Sequence, residues 1–302
     1  MLTQLVIGLV QGGTYALLAL GIVLVYKGSR VLNFAQGEIG TMALYVAYFV
    51  IVFMHGPWWL GALLAIAVAA TVGVVFERVV VRRMGEAPRL SVAIGTVGLL
   101  TLLLTLEAVL WKPIPRVLPA AIPGLGVKVA GFYVSPSQML ALAVTLALGL
   151  GLAAFLRRTD FGLGILAAAE DATAARLMGI RLGRVSAFTW GAAAAIAAIA
   201  ALLIEPTVGV FAPGYVSELF VRGLAAALVG GLTSLPGAFV GGLAVGVIEA
   251  MAVYFLRYSE VAQHIGTASL PGIDSLTVFL IIIVVLLVRP DGLLGKPQSR
   301  VA

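Results

Sequence analysis

The chain has 302 residues, 62% of them hydrophobic and 11% charged, with a net charge of +6. A soluble domain carries about 25% charged residues, so a chain this apolar cannot cover a folded surface in water, and a mean hydropathy of +1.13 points to a bilayer instead. The lack of cysteine excludes disulfides, zinc–thiolate centres and thiol chemistry. The basic residues lie in short connections between apolar runs, which is membrane-topology placement and not a nucleic-acid patch.

A bilayer core about 30 Å thick takes roughly 20 apolar residues of helix. In chain order, candidate helices fall at Leu5–Tyr26, Phe34–Met54, Trp58–Val80, Ser91–Trp111, Pro136–Phe155, Ser186–Ile204, Ser217–Leu232, Ala238–Phe255 and Leu276–Val288. The first lacks a basic leader and a small-residue cleavage site, so it is expected to be retained as a helix and not removed as a signal peptide. Ser217–Leu232 and Leu276–Val288 are short for full spans, and the first is expected to be partly inserted or broken. The expected fold is all-α, a polytopic membrane bundle of roughly eight or nine transmembrane helices forming one transmembrane domain. Alternating β-barrel spans are excluded, because the apolar runs are continuous.

Local features follow the same order. Asn33–Tyr48 carries Gly37 and Gly40 at the start of a helix, and Leu232–Ile248 carries Gly237 and Gly241 at the start of another. The two are either a true internal repeat with discontinuous helices or a shared Gly/Ala bias. Gly237, Gly241, Gly242 and Gly246 read first as close helix packing in lipid. Trp58, Trp59 and Trp111 stand at helix ends as interfacial anchors. The stretch Arg157–Arg184 is long, with an Ala-rich segment, Ile165–Met178, that favours one short helix exposing Glu170, Asp171 and Arg176. Gly179 is the expected stop. That helix is either a docking element or a solvated connector.

The loops around Lys27, Arg82 and Arg157–Arg184, together with the C-terminal tail, hold 14 of the 19 Lys and Arg residues. These loops are expected on the cytoplasmic side. The loop Lys112–Ser135 is basic yet falls outside.

Ionisable residues at membrane depth are functional candidates. Glu218 and Arg222, four apart on one helix, form either a structural ion pair or a polar lining of a pathway. Glu249 has no sequence-local partner, so it either lines a wet cavity or pairs with another helix. Glu107 and Glu205 lie near outer helix ends, where carboxylates are cheap. His55 and His264 read as interfacial residues and not as metal ligands. The phosphate-cradling G-x-x-x-x-G-K-[ST] pattern is absent, since Gly295-Lys296 runs into Pro297. This chain is therefore expected to be no enzyme and to bind no cofactor, and any use of ATP needs partner subunits.

The run Gly12-Gly13-Thr14-Tyr15-Ala16-Leu17-Leu18-Ala19-Leu20-Gly21, then Val25-Tyr26, then Asn33-Phe34-Ala35-Gln36-Gly37-Glu38, resembles the opening of branched-chain amino-acid ABC permeases of the LivH type. Arg176-Leu177-Met178-Gly179-Ile180 resembles that family's cytoplasmic ATPase-contacting loop. Gly230-Gly231-Leu232 through Pro236-Gly237-Ala238, Gly241 and Glu249 resembles its late Gly-rich motif, and Arg289-Pro290-Asp291-Gly292-Leu293-Leu294-Gly295 its tail. One departure is the apolar Phe161-Gly162-Leu163-Gly164-Ile165-Leu166, where the family pattern is expected to be basic. Packing of Leu166, Leu177 and Met178 then replaces charge as the expected ATPase contact.

The resemblance implies an inner-membrane subunit that pairs with a second, related permease, two cytoplasmic ATPase subunits and an extracytoplasmic binding protein. It implies leucine, isoleucine and valine as substrates, or urea and short amides in close relatives. On this reading Asn33, Gln36, Gly37, Glu38, Gly237, Glu218, Arg222 and Glu249 are candidates for the pathway. Half-helix starts at Asn33–Gly37 and Ser234–Gly237 would offer backbone groups to a zwitterion. Leu166, Glu170, Arg176, Leu177, Met178 and Gly179 are candidates for the ATPase-coupling loop. The competing readings are an ion-coupled secondary transporter, which needs convergent intramembrane carboxylates, and a non-transporting membrane subunit.

Overall fold

The computed structural model describes residues 2–85, 87–124, 126–129, 132–258, 273–289 and 292–295. His264, Pro290, Asp291 and Lys296 lie outside them.

The membrane helices are α1 (Leu2–Ser29), α2 (Gln36–Tyr48), α3 (Trp58–Phe76), α4 (Arg89–Trp111) and α5 (Pro136–Arg158), then α8 (Leu182–Val208), α9 (Tyr215–Gly230), α10 (Leu235–Tyr258) and α11 (Ile273–Val288). Between α5 and α8 lie α6 (Asp160–Glu170) and α7 (Ala172–Leu177). Seven of these helices are long and apolar enough to cross a bilayer. The two expected to be short, α9 and α11, have 16 residues each. α2 and α3 each continue through one π-helical turn, Phe49–Phe53 and Glu77–Val81.

α1 and α8 are the central pair: 78% of the most apolar stretch of each is enclosed, against 17% for α5, which stands at the periphery. Small residues account for the tight centre. A methyl added at Gly12 of α1 would sit 2.9 Å from the Gly242 carbonyl oxygen of α10. Gly246 faces Gly12, and Gly237 and Gly241 lie against the backbone of α9 around Gly230. In lipid, where hydrophobicity does not drive helices together, this close approach supplies the dispersion contact. The packing role expected of these glycines is what the structure shows, and it extends to Gly237, which lies in a helix crossing.

The loop between α4 and α5 holds an element not legible in its composition. A hairpin pairs β1 (Val127–Val129) with β2 (Phe132–Val134), with Val127 opposite Val134. Arg116 in the same loop is tied down. Its backbone exchanges hydrogen bonds of 2.8 and 2.9 Å with Phe211, and its guanidinium donates to the Trp111 carbonyl oxygen at 3.1 Å. Arg116, one of the basic residues of this loop, thus fastens it to the segment that follows α8.

The connection after α5 also departs from expectation. The single Ala-rich helix expected over Ile165–Met178 is two helices, α6 and α7. Asp171 breaks them apart: its backbone is extended, and its Oδ1 accepts the N–H groups of Thr173 and Ala174 at 2.8 and 3.0 Å. A carboxylate that caps the next helix ends the previous one more effectively than alanine propensity extends it. Thr159 caps α6 in the same way through Gly162 N–H. The stop at Gly179 is as expected, with φ +86.

Candidate functional site

After α1 the chain reverses at Arg30, a non-glycine residue with φ +57, and runs back into the bundle through Val31–Ala35. α2 therefore starts at mid-depth: the Gln36 side-chain amide donates to the Leu18 carbonyl oxygen, well inside α1, at 3.0 Å. Asn33 shapes the start, its Oδ1 accepting Ala35 N–H at 3.0 Å. Phe34 N–H donates to Thr96 Oγ1 of α4 at 3.1 Å.

A second re-entrant start mirrors the first. α8 ends at Gly209, in the left-handed region at φ +91, and the chain passes Phe211 and turns at Gly214, φ +85, into α9. Phe211 packs edge-on against both Tyr45 and Tyr48 of α2. Three residues later, Gly214 is level with Glu38.

The two helix starts meet at one carboxylate. Glu38 stands in the first turn of α2 and is fully enclosed. Its Oε1 accepts Gly214 N–H at 3.0 Å, and its Oε2 accepts the Ser217 hydroxyl. Thr41 Oγ1 accepts Val216 N–H at 3.1 Å alongside. A methyl at Gly37 would come within 2.8 Å of the Ser217 Cα, so only glycine permits the approach. The positive N-terminal end of α9 thus points at this carboxylate. The Glu107 carboxyl of α4 lies near Glu38 and is itself fully enclosed, and neither of its oxygens has a hydrogen-bond partner among the described residues.

Several sequence expectations change here. The second discontinuous helix is α9, starting at Tyr215, in the segment expected to be partly inserted or broken. Ser234–Gly237 instead begins α10, where Ser234 Oγ accepts Gly237 N–H at 3.1 Å. The repeat-like match between Asn33–Tyr48 and Leu232–Ile248 therefore pairs the wrong segments. The signal for the true start was the Val208–Gly214 stretch with its two glycines and Pro213. Glu107 and Glu205, expected at cheap outer positions, are both fully enclosed. Glu205 Oε1 accepts Leu118 N–H at 2.9 Å, because the α4–α5 loop folds down over it. Arg222 does not reach the Glu218 carboxylate. Its Nε donates to Glu249 Oε1 on α10 at 2.8 Å, and its contact with residue 218 is to the backbone carbonyl. α9 and α10 lie side by side, which a spacing rule within one helix cannot anticipate. Glu218 is left exposed.

Asn33, Gln36 and Glu38 are thus enclosed by this chain's own helices, and Gly37 and Gly237 are spent on helix contacts. Of the candidate pathway residues, Glu218 is the one at the surface, on a face of α9 with Val221 and the partly exposed Arg222.

On the side marked by the basic loops, the candidate coupling residues divide. Leu177 and Met178 are 84% and 83% exposed. Leu166 turns inward and packs on a cluster of α1, α5 and α10 residues, so it is not part of that apex. Glu170 and Leu166 line a cavity of about 620 Å³ shared with the ends of α1 and α5 and the α9–α10 turn. The tail closes on the same region. Gly292, at φ +79, turns the chain so that Leu293 and Leu294 donate their N–H groups to the Val229 and Gly230 carbonyl oxygens, capping α9.

The family model described as "Branched-chain amino acid transport system / permease component" matches residues 4–288. The high-affinity branched-chain amino acid transport system permease protein BraD of Pseudomonas aeruginosa is 33% identical over 311 aligned positions, covering 98% of this chain and 96% of that protein. The permease protein LivH of the same description from Escherichia coli strain K12 matches with the same identity and coverage. With the order of its motifs, its polytopic helical fold and a family match over nearly its whole length, the chain belongs to the branched-chain amino acid transport permease family and is a multi-pass inner-membrane protein.

Proposed function

We propose that this chain forms one side of the path by which an ATP-driven importer moves branched-chain amino acids across the inner membrane. It would do so opposite a second permease, with two cytoplasmic ATPase subunits and an extracytoplasmic binding protein. The observation that carries the coupling role is the bare apolar apex of Leu177 and Met178, held off the bundle by two capped helices. Large apolar side chains so exposed outside the bilayer are the mark of a docking surface. The relatives' transport of branched-chain amino acids supports the substrate class, and urea or short amides are the alternative within it.

The face of α9 bearing Glu218 is the proposed path. A charged side chain at the surface of a membrane helix is too costly against lipid, so it faces water or a partner. The buried carboxylates Glu38, Glu205 and Glu249 each accept a hydrogen bond from a protein donor; Glu107 accepts none among the described residues, and one such carboxyl falls short of the convergent set that ion coupling needs.

The test is leucine uptake by the assembled importer in proteoliposomes. Uptake is expected to stop when ATP is removed with ion gradients held, and persistence on the gradient alone would overturn the reading. Met178→Asp or Leu177→Asp puts a charge into the proposed apolar contact, at roughly several kcal/mol. Each is expected to abolish substrate-stimulated ATPase activity, whereas Glu170→Gln leaves it nearly unchanged. Normal coupling in both Asp variants would make this loop a mere connector.

Orientation is tested separately. In this cysteine-free chain, a cysteine at Ala172 is expected to resist an impermeant thiol reagent in intact cells, and one at His55 to react. The reverse pattern would invert the topology.

A further inference from the structure

The junction at the end of α1 joins three elements. Ser29 Oγ accepts the Trp190 indole N–H of α8 at 3.2 Å. Arg30 donates through Nη2 to the Ala169 carbonyl oxygen, in the last turn of α6, and its guanidinium lies 5.7 Å from the Tyr26 ring centroid. The next five residues lead directly to α2 and the Glu38 carboxylate. A guanidinium at a helix C-terminus meets both orphan carbonyls and the negative end of the dipole. Arg30 is therefore the polar tie between α6 and the re-entrant segment. The cavity of about 620 Å³ that Arg30, Leu166 and Glu170 share with the Thr233–Pro236 turn leaves α6 room to move against the rest of the bundle.

We propose that Arg30 is a positioning residue for transport: it carries a displacement of α6–α7 into Val31–Ala35 and so to the junction where α2 and α9 meet. The inference rests on the coupling role proposed for the α6–α7 apex and names the route by which that signal enters the membrane. A strap of five residues in irregular conformation, pinned at both ends by polar bonds, transmits a shift of either end to the other. Ile165 and Ala168 bury against the same cluster, so the apolar packing of α6 remains when Arg30 is changed.

The test compares Arg30→Ala and Arg30→Lys with wild type in the complete importer, reading assembly, basal ATPase activity and leucine imported per ATP hydrolysed. Arg30→Ala is expected to assemble and hydrolyse ATP, while import per ATP falls by about tenfold, the scale of one lost charge-assisted hydrogen bond. Arg30→Lys restores a cationic donor and is expected to recover part of the ratio. If Arg30→Ala does not assemble, the double variant Arg30→Cys, Ala169→Cys decides. Joining the two thiols with a short bifunctional reagent is expected to raise import per ATP above that of the unjoined sample. A wild-type ratio in Arg30→Ala, or no gain on joining, overturns the proposal. Met178→Asp run in parallel keeps the two ideas apart, since it reports on docking and removes stimulation of the ATPase itself.

Discussion

Replacing Glu38 with alanine is expected to prevent assembly of a functional permease. The substitution leaves Gly214 N–H and the Ser217 hydroxyl without their acceptor in a fully enclosed site. Each buried unmet donor costs roughly 1–3 kcal/mol, and no water in a bilayer core relieves it. The loss also removes the carboxylate that the N-terminus of α9 faces, so the sum is a large part of a native stability of roughly 5–15 kcal/mol. Glu38→Gln keeps the volume and one acceptor oxygen and should fall between. Glu107→Gln is the informative contrast: Glu107 is fully enclosed with neither oxygen hydrogen-bonded among the described residues, so a neutral amide of the same volume should leave thermal stability in detergent unchanged or raised. The measurements are the yield of monodisperse protein, its melting temperature and uptake. An alanine variant that assembles and transports normally would show that α2 and α9 are held by other contacts.

The second large effect is expected at the Arg222–Glu249 pair. The two groups lie 2.8 Å apart between α9 and α10, both largely enclosed. Changing either to alanine strands the other charge at membrane depth, at roughly 3–5 kcal/mol. Replacing both with methionine removes the charges together and keeps volume, and is expected to be far milder than either single change. Glu218→Gln, on the exposed face of α9, should hardly move the melting temperature and should act on uptake instead. Strict additivity of the two losses would mean that Arg222 and Glu249 do not interact.

The two expectations at α9 illustrate how far the residues alone could be read. That Glu218, Arg222 and Glu249 matter is visible from charge in an apolar run. Which of them pair is not, because two partners four apart on one helix look better in a sequence than two on neighbouring helices 27 positions apart. Glu107 shows the same limit in reverse. Near the end of a helix a carboxylate reads as solvated, and only the packing of α4 against α2 encloses it beside Glu38. Leu166 looked equivalent to Leu177 and Met178 by hydrophobicity, yet it packs inward while they stand free.

The sequence by itself determined the membrane class, the positions of nearly all the helices, the family and the Gly179 stop of the loop between α5 and α8. These depend on composition, run length and local backbone chemistry, which act over a few turns. Tertiary structure alone decided that the starts of α2 and α9 meet at the Glu38 carboxylate, that Arg222 reaches α10, and that Arg30 ties α6 to the re-entrant strap. Those outcomes rest on hydrogen bonds between groups up to 179 positions apart. Inside a bilayer every polar group must find a partner within the protein, and which partner it finds is fixed by the packing of the helices.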